Sequence, residues 1–127
     1  MKLKYSFLLF VSLLASQVAA QSTTKLLLGE WEIVNKEPTQ MDIYNTLAFQ
    51  LDGTYVYTLA HLLGKGYWSL GKKNEIIYIK DFQFSNTEAK QVDFKFRLEK
   101  ITKDTLIISR KVKGRKITNT YHKLVEE

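Results

Sequence analysis

The sequence predicts an all-β fold: a single antiparallel, up-and-down barrel of eight strands with a short N-terminal helical lead-in. Three observations carry the prediction. Apolar and polar residues alternate with period two along most of the chain, the mark of strands with one buried face. Turn signals built on Gly, Asn and Asp recur at short, regular intervals. No helical periodicity separates the strands, which excludes crossover connections and a parallel sheet. Sequential turns favour neighbours in chain order, and closing the sheet on itself removes its exposed edges. A length of 127 residues suits one domain.

Residues 1–20 stand apart from that fold. Lys2 and Lys4 form a short positive region, Phe7 to Leu14 is an apolar run, and Val18-Ala19-Ala20 offers small residues before a cleavage point. This is the three-part layout of a secretory signal peptide. The apolar run is too short to span a bilayer. The barrel domain is therefore expected over residues 21–127, periplasmic or secreted, with no transmembrane anchor. The chain has no cysteine. That excludes a disulfide scaffold, a thiolate metal site, a cysteine nucleophile and a lipid anchor carried on cysteine.

The strands follow one another in order. Ser22 to Leu28 reads as a brief helix, with Ser22, Thr23 or Thr24 as its cap. Trp31 and Ile33 alternate with Glu30 and Glu32. Leu47, Phe49 and Leu51 alternate with Thr46, Ala48 and Gln50. Asp52-Gly53 then signals a two-residue hairpin, because both residue types tolerate positive φ. Tyr55, Tyr57 and Leu59 lie on the return strand, and Gly66, Trp68 and Leu70 share one face of the next. Gly71 to Asn74 turns the chain into the β-rich run Glu75 to Phe84, which Ser85 to Glu88 breaks. Phe94, Phe96 and Leu98 alternate with Asp93, Lys95, Arg97 and Glu99. After Lys103-Asp104, the residues Leu106, Ile108, Arg110 and Val112 share a face. Lys113-Gly114 turns into the last strand, where Ile117, Asn119, Tyr121 and Lys123 share another.

Gly29-Glu30-Trp31, opening the first strand just after a helical lead-in, resembles the Gly-x-Trp signature of the lipocalins. The pattern continues through Phe49-x-x-Asp52-Gly53-Thr54-Tyr55, Gly66-Tyr67-Trp68 and Phe96-x-Leu98-x-x-Ile101-x-x-Asp104-x-Leu106. Together these resemble the small lipocalin-like domain common in exported proteins of Bacteroidota. The resemblance implies an eight-stranded barrel that binds a small apolar ligand inside, with Gly29 and Trp31 as structural signature residues. The chain is shorter than classical lipocalins. Near the end of its last strand it carries Lys123 where the family has an arginine packed on the tryptophan.

Enzymatic chemistry finds no support in the residues. His61 and His122 belong to no ligand-spaced cluster, so no metal or cofactor is expected. No nucleophile elbow, phosphate-cradling loop or calcium loop is present. Asp93 and Glu99 are interleaved with Lys95 and Arg97, a solvated salt-bridging face. Without Lys2 and Lys4 of the expected leader the net charge of +6 falls to +4, and an exported barrel with that charge is a poor nucleic-acid binder.

Two function classes remain. One is a carrier or sensor that holds a small apolar or anionic amphiphilic ligand in the barrel. The other is a protein-interaction module or inhibitor of the cell envelope, with a filled core, acting on an envelope protein partner through its loops. An eight-stranded barrel is just wide enough to be filled by side chains or to hold one small ligand, so both stay open. For the carrier, Tyr55, Tyr57 and Tyr121 bring hydroxyls inward, where they need partners. Arg110 shares a face with apolar residues, and a charge directed inward needs a counter-group. That group is either an acid or tyrosine hydroxyl within the barrel, the simpler case, or the anionic head of a ligand, whose tail would then be directed toward Trp68, Tyr57 and Phe96. Basic residues at the same end (Lys36, Lys65, Lys90, Lys111, Lys113, Arg115 and Lys116) would steer it in.

Overall fold

The structure is a computed structural model that describes residues 23–34, 45–85, 88 and 90–124. The expected leader, residues 1–20, lies outside the described residues, as does Lys36. Residues 23–27 are helical, and eight strands follow: β1 (Gly29–Ile33), β2 (Asn45–Phe49), β3 (Thr54–Leu59), β4 (Leu62–Leu70), β5 (Ile76–Phe84), β6 (Val92–Ile101), β7 (Thr105–Val112) and β8 (Arg115–Lys123). Each pairs antiparallel with the next, and β8 returns to β1 through Trp31↔Lys123 and Ile33↔Tyr121, closing the barrel.

Alternation decides what points inward. Trp31, Leu47, Phe49, Tyr55, Leu106, Ile108 and Tyr121 are buried on the parity expected for their strands, and Ile77 and Ile79 are buried with them. They fill one half of the barrel. That half adjoins the β2–β3, β4–β5 and β6–β7 turns and the helix, whose Leu27 is also fully buried. The connections β3–β4, β5–β6 and β7–β8 lie at the opposite end.

Two turns differ from the sequence reading. At Asp52-Gly53 only Gly53 takes positive φ, at 90°. Asp52 works through its carboxylate instead, accepting the Thr54 amide at 2.9 Å. The Thr54 hydroxyl first, and then this amide, hold the Asp52 carboxyl below its ordinary range. Between β3 and β4 the connection is only Ala60-His61, with Ala60 at φ 55°. Lys65 therefore sits within β4 on the outer face rather than in a loop. By contrast, Lys113-Gly114 is a two-residue turn with both residues at positive φ (51° and 79°), a conformation free to the glycine and uncommon for the lysine.

The barrel also has irregular places. In β5 the register shifts between Ile79 and Phe82, with Asp81 at φ 55° and its amide donating to the Asp93 carboxylate at 2.9 Å. This bulge switches the inward parity from Ile77 and Ile79 to Phe82 and Phe84. In β6 a shift between Leu98 and Lys100 leaves Glu99 without a strand partner. Its carboxylate accepts from the Ser109 hydroxyl at 2.7 Å and meets Lys116 at 3.0 Å. Those contacts, Ser109 first, hold the Glu99 carboxyl below its usual range.

Candidate functional site

Trp31 anchors the closed end. Its indole Nε1–H donates to the Leu27 carbonyl at 2.9 Å, which ties the helix to the first strand. Lys123 lies over the ring, its Nζ 4.6 Å from the centroid, and donates to the Leu26 and Leu28 carbonyls. The lysine thus satisfies carbonyls at the end of the helix while covering the tryptophan face. Gly29 makes room for it: a Cβ there would come within 2.7 Å of Lys123 Cε, at a φ of 122° that disfavours any side chain. Gly29, Trp31 and Lys123 form one unit, with lysine in the place where the resemblance expects arginine.

The other half of the barrel is hollow. A cavity of about 360 Å³ lies there, within the size range of small-molecule sites. Its wall is an aromatic sleeve of Tyr57, Phe82, Phe84, Phe94 and Phe96 above Tyr55, Ile108 and Tyr121. Neighbouring rings meet edge-on or tilted: Phe82 and Phe84 at 5.1 Å, Phe94 and Phe96 at 5.3 Å, Tyr55 and Phe82 at 5.9 Å. Such contacts hold the sleeve in shape without a ligand. Val92, Val112 and Ile117 line the mouth and are exposed there. The cavity therefore opens at the end opposite Trp31, beside the β5–β6 and β7–β8 connections.

Polar groups are few and grouped. The Tyr121 hydroxyl pairs with the Asn119 side chain. Burial pushes the phenols of Tyr55, Tyr57 and Tyr121 upward, and Tyr55 is raised further by its two neighbouring phenols. All three remain neutral hydrogen-bonding groups at physiological pH. Arg110 is near enough to Tyr55 to oppose that rise. Its guanidinium stacks over the Phe94 ring at 4.3 Å, the weakly hydrated cation lying flat on an aromatic face.

Of the ligand residues read from sequence, Tyr55, Tyr57, Phe96, Arg110 and Tyr121 come together around this cavity. Arg110 is placed differently from the reading: it is exposed at the rim, so solvent and Phe94 satisfy its charge and no buried acid is needed. Trp68 does not line the cavity. Its Nε1–H donates to the Gln50 carbonyl at 2.9 Å and its ring meets Phe49 edge-on at 5.3 Å, which places it at the β2–β3 turn, in the filled half.

Comparison with family models, with curated proteins and with solved structures finds no match. The site must therefore be read from its own residues. Phe82 and Phe84 are site residues that the sequence reading does not single out, since it gives the run Glu75 to Phe84 no inward face, and strict alternation from Ile77 and Ile79 would turn them outward. The sequence signal was the change of apolar parity across Lys80-Asp81. No cluster of His, Asp and Glu able to hold a metal occurs among the described residues. None of the described helices is long and apolar enough to cross a membrane.

Proposed function

We propose that this chain is an exported, lipocalin-like protein with an up-and-down barrel that binds a small anionic amphiphile, apolar part inside and charge at the rim. The observation that carries the reading is the cavity of about 360 Å³, walled by aromatic rings and bordered by Arg110. A hollow of that size favours the carrier over the filled-core interaction module.

Size narrows the ligand. A water molecule's share of the liquid is about 30 Å³ and a methylene is similar, so the cavity takes roughly a dozen non-hydrogen atoms. Medium-chain acids fit that limit, and long-chain ones would project from the mouth. The edge-to-face sleeve supplies apolar contact, while the neutral phenols can hydrogen-bond to a polar group without repelling an anion. Among the described residues of the lining, Arg110 supplies the one cation.

The test compares decanoate with decanol by calorimetry, on wild type and on Arg110→Met. Decanoate should bind wild type more tightly than decanol, and the variant should lose about tenfold for the acid alone, the scale of one charge-assisted hydrogen bond. Equal binding of acid and alcohol to wild type discards Arg110 as the anion's partner. Failure of both to bind discards the cavity reading itself.

A further inference from the structure

The barrel wall is not continuous around the hollow half. The β6–β7 ladder runs from Ile101↔Leu106 to Arg97↔Ser109 and stops there. Continued in register, it would pair Phe96 with Arg110, Lys95 with Lys111 and Phe94 with Val112. None of these pairs forms, although β6 stays paired with β5 and β7 with β8 along the same stretch. The upper parts of β6 and β7 therefore diverge, leaving a seam beside the cavity.

On the outer side of this seam lies a cleft of about 630 Å³. Lys95, Arg97, Arg110, Lys111 and Lys116 line it against a single carboxylate, Asp93. Asp93 is already engaged by the Asp81 amide, and Glu99 beneath is held by Ser109 and Lys116. Phe94, Ser109 and Arg110 line both the cleft and the cavity. The stacked Arg110–Phe94 pair is thus the partition between an apolar chamber and a cationic one.

Resting on the reading of the cavity as a ligand site, we propose that the β6–β7 seam is the headgroup site, and that the ligand is a phosphate monoester of a medium-length apolar chain. The chain occupies the barrel, and the phosphate passes through the seam into the cleft. Of the five cations, Lys116 and Arg97 face Glu99 at 3.0 Å and 3.8 Å. The other three, Lys95, Arg110 and Lys111, stand against one committed carboxylate and exceed what a single carboxylate headgroup can use, whereas a phosphate has three terminal oxygens and close to two negative charges. Arg110 is shared by both chambers and can leave the Phe94 face to meet the phosphate while its neighbours hold the chain.

The experiment measures affinities of decyl phosphate, decanoate, decanol and inorganic phosphate for the full chain, then repeats the first two on Lys95→Ala/Lys111→Ala. The comparison variant is Lys113→Ala/Arg115→Ala, which removes two charges from the adjacent turn. On wild type, decyl phosphate should bind about tenfold more tightly than decanoate, and inorganic phosphate far more weakly than either. The advantage of the phosphate should vanish in Lys95→Ala/Lys111→Ala and persist in the comparison variant, with both variants melting as cooperatively as wild type. The seam assignment is overturned if phosphate and carboxylate bind alike, if the advantage survives in Lys95→Ala/Lys111→Ala, or if the comparison variant loses it equally. Inorganic phosphate binding as tightly as decyl phosphate overturns the placement of the chain in the barrel. If neither decanoate nor decanol binds wild type, the underlying cavity reading fails and takes this assignment with it. Decanol binding without a phosphate advantage overturns the seam alone.

Discussion

Single side chains decide where the barrel is solid and where it is hollow. Trp31 is fully buried, hydrogen-bonded to the helix and roofed by Lys123. Trp31→Ala should therefore cost about 3–5 kcal/mol, the usual loss for a large buried aromatic, read as a drop in the midpoint of urea unfolding. A wild-type midpoint would mean that the indole carries no part of the core. The tyrosines make a second residue-scale prediction. Tyr55, Tyr57 and Tyr121 have folded-state values raised above the ordinary value of 10.0. The folded chain therefore keeps protons that the unfolded chain releases as pH climbs past 10.0. Their contribution to stability is complete below that pH and is lost progressively above it. Unfolding followed from pH 9 to 12 should show a decline that is shallower in Tyr57→Phe. An identical slope in the variant would show that Tyr57 ionises alike in both states.

At the scale of the element, what could be read depends on whether a strand keeps its alternation. β3, β7 and β8 keep theirs, so Tyr55, Tyr57 and Tyr121 line the cavity on the face that alternation gives them, while Arg110, on the same face as Ile108, lies exposed at the rim. The bulge in β5 breaks its alternation through one residue at positive φ, and two of the five sleeve rings, Phe82 and Phe84, are hidden with it. Trp68 shows the reverse case. It has the inward parity of β4, yet it lies too near the closed end to reach the cavity, and parity says nothing of depth along the barrel. Lys123 was legible as the nearest cation to Trp31, but its bonds to the helix carbonyls depend on a helix end that only the fold brings close. The glycines of β4 explain how the bulge is accommodated. Both Gly64 and Gly66 are buried. A Cβ on Gly64 would lie 2.2 Å from Phe82 Cζ, the end of a ring that could swing into the cavity. A Cβ on Gly66 would lie 2.9 Å from the Lys80 carbonyl oxygen and 3.1 Å from Phe82 Cα, where only backbone movement relieves it. Gly66→Ala should therefore destabilise by about 1–3 kcal/mol, the range for overpacking. Gly64→Ala should cost less in stability while weakening ligand binding, because Phe82 would be driven into the cavity. Denaturant midpoints for both, with decanol affinity for Gly64→Ala, check the pair. If Gly64→Ala is the less stable and binds decanol normally, Phe82 does not move as described.

For the molecule as a whole, one barrel serves two ends with opposite requirements. The end near Trp31 is packed with Leu47, Phe49, Ile77, Ile79 and Leu106 and covered by Leu27. The other end has a cavity, exposed Val92, Val112 and Ile117 at its mouth, and a split wall between β6 and β7. A cavity forfeits packing contacts on one side of every residue that lines it. Local opening should therefore begin at the hollow end and be cheapest where interstrand bonds are already missing. Hydrogen exchange should show this as a gradient along single strands. In β6, the Lys100 amide should be protected more strongly than that of Lys95, which faces the seam, whereas the Phe96 amide points to β5. In β7, amides of Leu106 to Ile108 should outlast Lys111. The comparison within one strand matters, since it holds sequence neighbourhood and strand identity constant and varies only height in the barrel. Adding a ligand that bridges cavity and seam should slow exchange at the upper residues and leave the lower ones near their original rates, because the lower ones already open only with the whole barrel. Uniform protection along β6 and β7 without ligand would mean that the two strands close up in solution. The seam would then not be available to a headgroup.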